Sequence, residues 1–243
     1  MAQRVHRGMD FRAEPAAAAA QRLGRLADAA VAIFFRADFL DPTLGKAVPY
    51  GMYGIHGNEA GVSVGISYDT AEFAVGAIRR WWKKLGRKRY AGAKRILVTA
   101  DSGGSNGSRN RLWKLELQQW ADETGLIVEV CHYPPGTSKW NKIEHRLFCH
   151  ITRNWQGRPL ETLEIVVESI GATTTEAGLE VHAWLDEGTY EKGRVVSDED
   201  LAECVIKRKG CSRCPDSYPA IAKSQTNGSL HRTWTTSYST SRF

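Results

Sequence analysis

The sequence predicts an α/β chain, a mixed sheet with helices packed on its faces. Three observations predict it. Tyr50 to Ile55 and Val62 to Ser67 are short apolar stretches around the turn His56-Gly57-Asn58-Glu59, the pattern of a hairpin. Beyond them, apolar runs of strand length alternate with stretches of helical periodicity. The 243 residues are 42% hydrophobic, which suffices for one ordinary core plus appendages.

In chain order, Ala16 to Ala20 with Arg22, Leu23, Leu26 and Ala30 allows one loosely attached helix. Val31 to Phe35 is apolar and could form a short strand, and Asp38 to Pro49 reads as a loop. After the hairpin, Asp69 and Thr70 open a helix. Phe73, Ala77, Ile78, Trp81, Trp82 and Leu85 form its apolar face, and Gly86 ends it. Ile96 to Ala100 is a continuous apolar run and therefore a buried strand. Arg109 to Thr124 is helical, with Leu112, Leu115, Trp120 and Ala121 facing inward and Gly125 as the stop. Leu126 to Cys131 is a further strand, and Asn141 to Trp155 and Glu161 to Ile170 are helices. Ser197 begins a last helix whose first turn holds Asp198, Glu199 and Asp200, as the helix dipole favours. From residue 207, apolar periodicity vanishes and Ser and Thr make up 12 of 37 residues, so disorder is expected. This order of elements is that of a ribonuclease-H-like sheet short of its leading strand, for which Val31 to Phe35 is the local candidate.

Charge is informative only locally. The net +6 is supplied by residues 207 to 243, which hold seven Lys/Arg against Asp216 alone. Arg79 to Arg95 is different, with nine Lys/Arg and no acid, a stripe that could follow phosphates or form a solvated face. No run of 18 apolar residues exists and no secretory signal opens the chain, so neither a membrane span nor export is expected. The five cysteines are odd in number and scattered, which fits a reduced, cytoplasmic protein. Cys211 and Cys214, with Cys204 nearby, lack a fourth ligand at zinc spacing. The glycines at 103, 104 and 107 are not followed by the Lys-Ser/Thr of a phosphate loop, and no partnered serine nucleophile is evident.

Two carboxylates stand out. Asp101 ends the apolar run Ile96 to Ala100, before the glycine-rich turn Ser102 to Gly107. Strand ends of open α/β sheets collect active sites, although the same aspartate could serve only an Asx-turn. Glu144 lies in the first helical turn after Pro134 to Trp140, among Lys139, Lys142, His145 and Arg146. Asn141 as N-cap would set Glu144 at the third helical position, a structural capping reading. The other reading has both acids converge on divalent metal beside a phosphate backbone.

These same residues carry a resemblance. The runs Gly45 to Gly51, Asp69 to Val75, Arg79 to Trp82, Ala100 to Gly107, Pro134 to Phe148, Asn154-Trp155 and Ile170 to Thr175 resemble the Rhodopirellula-type (ISAzo-group) transposase family of the DDE class. The resemblance spans about residues 41 to 200. It implies a ribonuclease-H-like catalytic domain over 41–206, flanked by an atypical 1–40 and a basic 207–243 tail. It further implies Mg²⁺ (or Mn²⁺), two ions, held by three acids, with Asp101 as the second and Glu144 as the third. DNA is then the partner, both transposon ends and target, with Lys139, Lys142, His145, Arg79, Arg80, Lys83 and Lys84 at its phosphates, and self-association on DNA left open. Cytoplasmic, nucleoid-associated location is implied as well.

The departure is at the front. The family's first aspartate ends the leading strand before a lysine-rich turn. Asp10, Asp28 and Asp38 do not fit that role, and Asp69, opening a helix after the hairpin, stands in the wrong place. The leading strand is expected to be missing or atypical, and the chain to be a truncated or frame-shifted copy or an unusual member. Loss of activity is expected, with a non-catalytic DNA-binding remnant, or another metal-dependent phosphohydrolase, as the alternatives.

Overall fold

A computed structural model describes residues 28–35, 39–41, 45–133, 140–208 and 220–222. The strands are β1 (Ala29–Phe35), β2 (Phe39–Asp41), β3 (Gly45–Gly54), β4 (Glu59–Gly65), β5 (Arg95–Ala100), β6 (Ile127–His132), β7 (Glu180–Asp186), β8 (Ile206–Arg208) and β9 (Ala220–Ala222). They form one sheet in the order β7-β4-β3-β1-β5-β6-β9-β8, with β2 added beside β3. β3 runs antiparallel to both β1 and β4, while β1, β5 and β6 run parallel, as do β4 and β7. The carboxyl ends of β1, β4, β5, β6 and β7 therefore share one edge. The central order, a hairpin pair beside β1 and two parallel strands on its other side, is the ribonuclease-H-like arrangement.

The leading strand is present. The weak apolar stretch Val31 to Phe35 is the middle of the sheet, paired on both sides. Its composition, Ala29-Ala30-Val31-Ala32-Ile33-Phe34-Phe35, suits a strand covered on both faces, but it contains no carboxylate. It is atypical rather than missing, and the sheet begins before residue 41. The loop expected over Asp38 to Pro49 is largely strand, since β3 starts at Gly45 and β2 pairs with it. Part of the expected tail is also strand: β8 and β9 pair with each other, and β9 continues onto β6. The helix expected between Ala16 and Ala30 falls outside the described residues, except that Ala29 and Ala30 are strand. β7 has no counterpart among the elements expected from the sequence.

Helices cover both faces. On one side lie α1 (Ala71–Trp81), continued through a π-helical turn at Trp82–Gly86, and α2 (Arg111–Thr124). Thr70 caps α1 by accepting from the Phe73 amide, Asn110 caps α2 by accepting from the Trp113 amide, and Gly125 in the left-handed region ends α2. Trp81, Trp82, Trp113 and Trp120 fill this layer against Val31, Ile33, Tyr50, Met52, Ile96 and Val98. On the other side lie α3 (Cys149–Trp155), preceded by the π-helical turn Glu144–Phe148, and α4 (Leu163–Gly171). Ile143, Leu147, Phe148, Ile151 and Trp155 pack there with Val62, Val64, Val166 and Ile170. A last short helix, α5 (Asp198–Ala202), opens on the capping box of Ser197 and Asp200.

The helix of Glu144 sits close on the sheet because Gly51 has no side chain. A Cβ there would lie 2.8 Å from Phe148 Cζ and 3.1 Å from Ile143 Cδ1. Gly51→Val is expected to lower stability by about 1–3 kcal/mol through overpacking. Phe148→Leu added to that variant should recover part of the loss. Urea unfolding of the parent, both single variants and the double variant measures the coupling.

Candidate active site

Asp101 comes directly after the last residue of β5 at the shared carboxyl edge. Its rigid mount is made by the turn behind it. The Tyr133 amide donates to the Ala100 carbonyl at 2.8 Å, and Ser102 Oγ donates to the Tyr133 carbonyl. A short 3₁₀ turn, Gly104–Asn106, is pinned by buried His132, whose Nε2 lies 2.8 Å from the Asn106 carbonyl. Asn110 Nδ2 holds the Ser105 carbonyl at 3.0 Å. Burial pushes His132 below the usual imidazole range, so the ring is a neutral strut. Gly104 takes φ +70°, the conformation that lets the chain reverse here.

The partner of Asp101 is a side chain and not the amides of an Asx-turn. Asn141 Nδ2 donates to Asp101 Oδ1 at 3.2 Å and to the Ile33 carbonyl of β1 at 2.9 Å. Asn141 is fully buried. It does not cap its helix by side chain; its carbonyl accepts from the Glu144 amide at 3.1 Å, and its Oδ1 has no hydrogen-bond partner. One amide thus fastens the turn of Glu144 to β1 and to Asp101. Asn141, bonded to Asp101, stands three residues before Glu144, so the turn of Glu144 starts at the edge where Asp101 lies. The π-helical turn begins at Glu144, which rotates the residues after it relative to an ideal helix.

Other groups reach this edge. Tyr50, on β3, is fully buried with its hydroxyl unpartnered. Burial, then the charges of Asp69 and Asp101, push its phenol well above the usual range. Asp69 stands in the turn between β4 and α1, with Oδ2 3.7 Å from where a Cβ on Gly104 would sit. Sequence position alone argues against Asp69, because it comes after the hairpin. The fold reverses that: β4 is parallel to β1, so the turn leaving β4 lands beside the turn leaving β5.

The basic residues separate into two sets. Lys142 and His145 are exposed on the turn of Glu144, and Lys139 lies outside the described residues. Arg79 is ion-paired to Glu116 and Glu123, at 2.9 and 3.0 Å. Arg80 bridges Asp186 at 2.8 Å and Ser63 at 3.0 Å. Lys83 and Lys84 are exposed, with Lys84 Nζ 5.6 Å from the Trp184 ring centre. α1 starts at the acid edge and runs away from it, so Arg89 comes against Gly57 in the hairpin turn. At 1.5 Å per residue, that end lies about 27 Å along the helix from its start.

The carboxylates of Asp101 and Glu144 and the phenol of Tyr50 carry oxygen donors alone, which suits a hard divalent cation. Among the described residues, the acid and histidine groups whose ligand atoms all lie within 4.8 Å are Glu59, Glu180 and His182. Glu59 begins β4 and Glu180 begins β7, so that trio sits at the opposite edge from Asp101.

A family model, the Rhodopirellula transposase DDE domain, matches residues 17–213. The chain belongs to this DDE transposase family. A comparison with curated proteins finds no match. A solved structure, a simian T-cell lymphotropic virus intasome in complex with PP2A regulatory subunit B56 gamma, is similar at 9% identity with a TM-score of 0.38. The similarity covers 70% of this chain and 61% of that one. The transposase family implies use of divalent metal. No helix among the described residues is long and apolar enough to cross a membrane.

Burial raises the Asp101 carboxyl above its ordinary value, while donation from Asn141 pulls it down. The folded chain therefore holds this proton more tightly than the unfolded one. Stability is fullest at low pH and falls as pH rises from the unfolded carboxyl range through the raised folded value. In metal-free buffer, Asp101→Asn is expected to be more stable than the parent near pH 7, with the gap closing by about pH 3. Urea unfolding at the two pH values is the check.

Proposed function

We infer that this transposase domain acts on DNA by metal-dependent strand cleavage and strand transfer, and that its chemistry is crippled by the loss of the first acid. The observation behind this reading is the register of β1. Ala32 pairs with Thr99, so two residues further on Phe34 stands level with Asp101. Phe34 is thus the position from which a leading-strand carboxylate would meet the second acid, and it is phenylalanine.

Asp101 and Glu144 would supply the metal-holding oxygens. Divalent ions bound there would activate the attacking oxygen, of water or of a 3′-hydroxyl, and stabilise the leaving oxygen. Asn141 holds the two acid-bearing segments in fixed relation. Lys139, Lys142 and His145 would meet the phosphates beside the scissile bond. Lys83 and Lys84 would add non-specific affinity, while Arg79 and Arg80, engaged within the fold, contribute chiefly to the local potential. With one acid gone, a two-ion arrangement loses both its charge compensation and its spacing. Transposon ends and target DNA are the proposed partners, with self-association on DNA, in the cytoplasm at the nucleoid.

The carboxylate-free β1 also favours a second reading, a DNA-binding remnant without chemistry. It predicts salt-sensitive binding, unchanged by Glu144→Ala, and no cleavage under any metal.

Cleavage and joining of DNA carrying the element's ends, with Mg²⁺ or Mn²⁺, tests both. The chain itself is expected to show little or no turnover. Phe34→Asp is expected to raise cleavage by about 100-fold or more, the scale of a restored charge-stabilising group. That gain should vanish in Asp101→Asn or Glu144→Gln. Robust turnover by the unaltered chain, lost in Asp101→Ala, would overturn the missing-acid account; no gain from Phe34→Asp would favour the remnant.

A further inference from the structure

We propose that Asp69 is a metal-holding carboxylate of this chain, acting with Asp101 on one divalent cation from the side opposite Asn141. The inference rests on the metal-holding reading of Asp101.

Four observations converge on it. The turn carrying Asp69 leaves β4, whose carboxyl end shares the edge of β5 because both strands run parallel to β1. Asp69 Oδ2 is 3.7 Å from the Cβ position of Gly104, three residues after Asp101 in a tightly bent turn. With consecutive Cα atoms 3.8 Å apart, the backbones of 101 and 104 are separated by at most about 11 Å, and the bend shortens that. Between the segments lies the fully buried Tyr50, whose hydroxyl has no hydrogen-bond partner and feels both carboxylates. Beside Asp101, the fully buried Asn141 leaves Oδ1 unpartnered. A buried hydroxyl or amide oxygen without a partner is unfavourable, because it has left water with nothing in exchange. The Tyr50 hydroxyl, which feels both acids, is a group that a hydrated hard cation would satisfy.

Oxygen donors alone select Mg²⁺ or Mn²⁺ over softer metals. Mg²⁺ keeps several of its waters, so both carboxylates need not bond it directly. This accounts for a cation site although Asp69, Asp101 and Glu144 do not form a trio within 4.8 Å. It also separates binding from catalysis. Asp69 approaches from the α1 side, whereas position 34, level with Asp101 on β1, carries no carboxylate. The chain is therefore expected to hold metal while performing little chemistry. The competing role for Asp69 is structural, an acid placed just ahead of the Thr70 cap of α1.

The test is Mn²⁺ titration of the full chain, read by electron paramagnetic resonance and by the Mn²⁺-induced shift in thermal midpoint. Glu180→Gln is the common background, to silence the trio at the opposite edge. Asp69→Asn and Asp101→Asn are each expected to weaken Mn²⁺ binding at least tenfold and to abolish the thermal shift. Asp69→Asn that lowers metal-free stability yet binds Mn²⁺ like the background chain makes Asp69 a helix-start acid and overturns the proposal. If Asp101→Asn also leaves binding unchanged, the metal reading of Asp101 fails with it. Fe²⁺-directed oxidative cleavage of the unaltered chain, mapped by mass spectrometry, does not depend on any variant folding. Cuts near both 69 and 101–104 are expected; cuts near 101 and 144 without any near 69 overturn the proposal.

Discussion

The side-chain amide of Asn141 is the constraint on which the acid edge depends. Its two N–H groups hold the β1 carbonyl of Ile33 and the carboxylate of Asp101, and its own carbonyl starts the turn of Glu144. The net worth of such bonds is small. A neutral hydrogen bond adds about 0.5–1.5 kcal/mol and one to a charge about 1.5–3, while the orphaned Oδ1 returns about 1–3. The sum is near balance, so the contribution of Asn141 is positional. It fixes three chain segments, far apart in sequence, to one another.

Packing makes that position attainable. The sheet is covered on both faces, by the tryptophan layer under α1 and α2 and by Ile143, Leu147 and Phe148 on the other side. Gly51 lets the second layer approach closely enough for Asn141 to reach β1. The same closeness dehydrates Asp101 and Tyr50, raising the carboxyl and phenol and making a charge at this edge unfavourable. That edge is therefore a local weakness in an otherwise well-filled core.

The basic stretch from Arg79 to Arg95 shows how sequence charge misleads. Two of its arginines are absorbed by internal acids, joining α1 to α2 and to β7. Partial burial strengthens these pairs relative to fully exposed ones, and at Asp186 burial pushes the carboxyl up while Arg80, the Gly188 amide and the Tyr190 hydroxyl together keep it low. The lysines that remain exposed lie along a helix leading away from the acids. They can raise affinity for a polyanion, but the exposed basic residues on the turn that Asn141 fastens to Asp101 are Lys142 and His145.

The sequence by itself determined most elements and the family, because strand and helix periods are local and the runs around Asp101 and Glu144 are long. It missed β7, whose partner β4 lies over a hundred residues away, and it undervalued β1, whose seven residues are too few and too alanine-rich to declare themselves without their neighbours. Tyr50 and Asn141 were legible only as a strand residue and a helix cap. Only the tertiary structure decided that Asp69 belongs to the acid edge and that Phe34 stands opposite Asp101. The physical reason is that direction and register of strands are set by pairing across the sheet, which no local pattern of residues encodes.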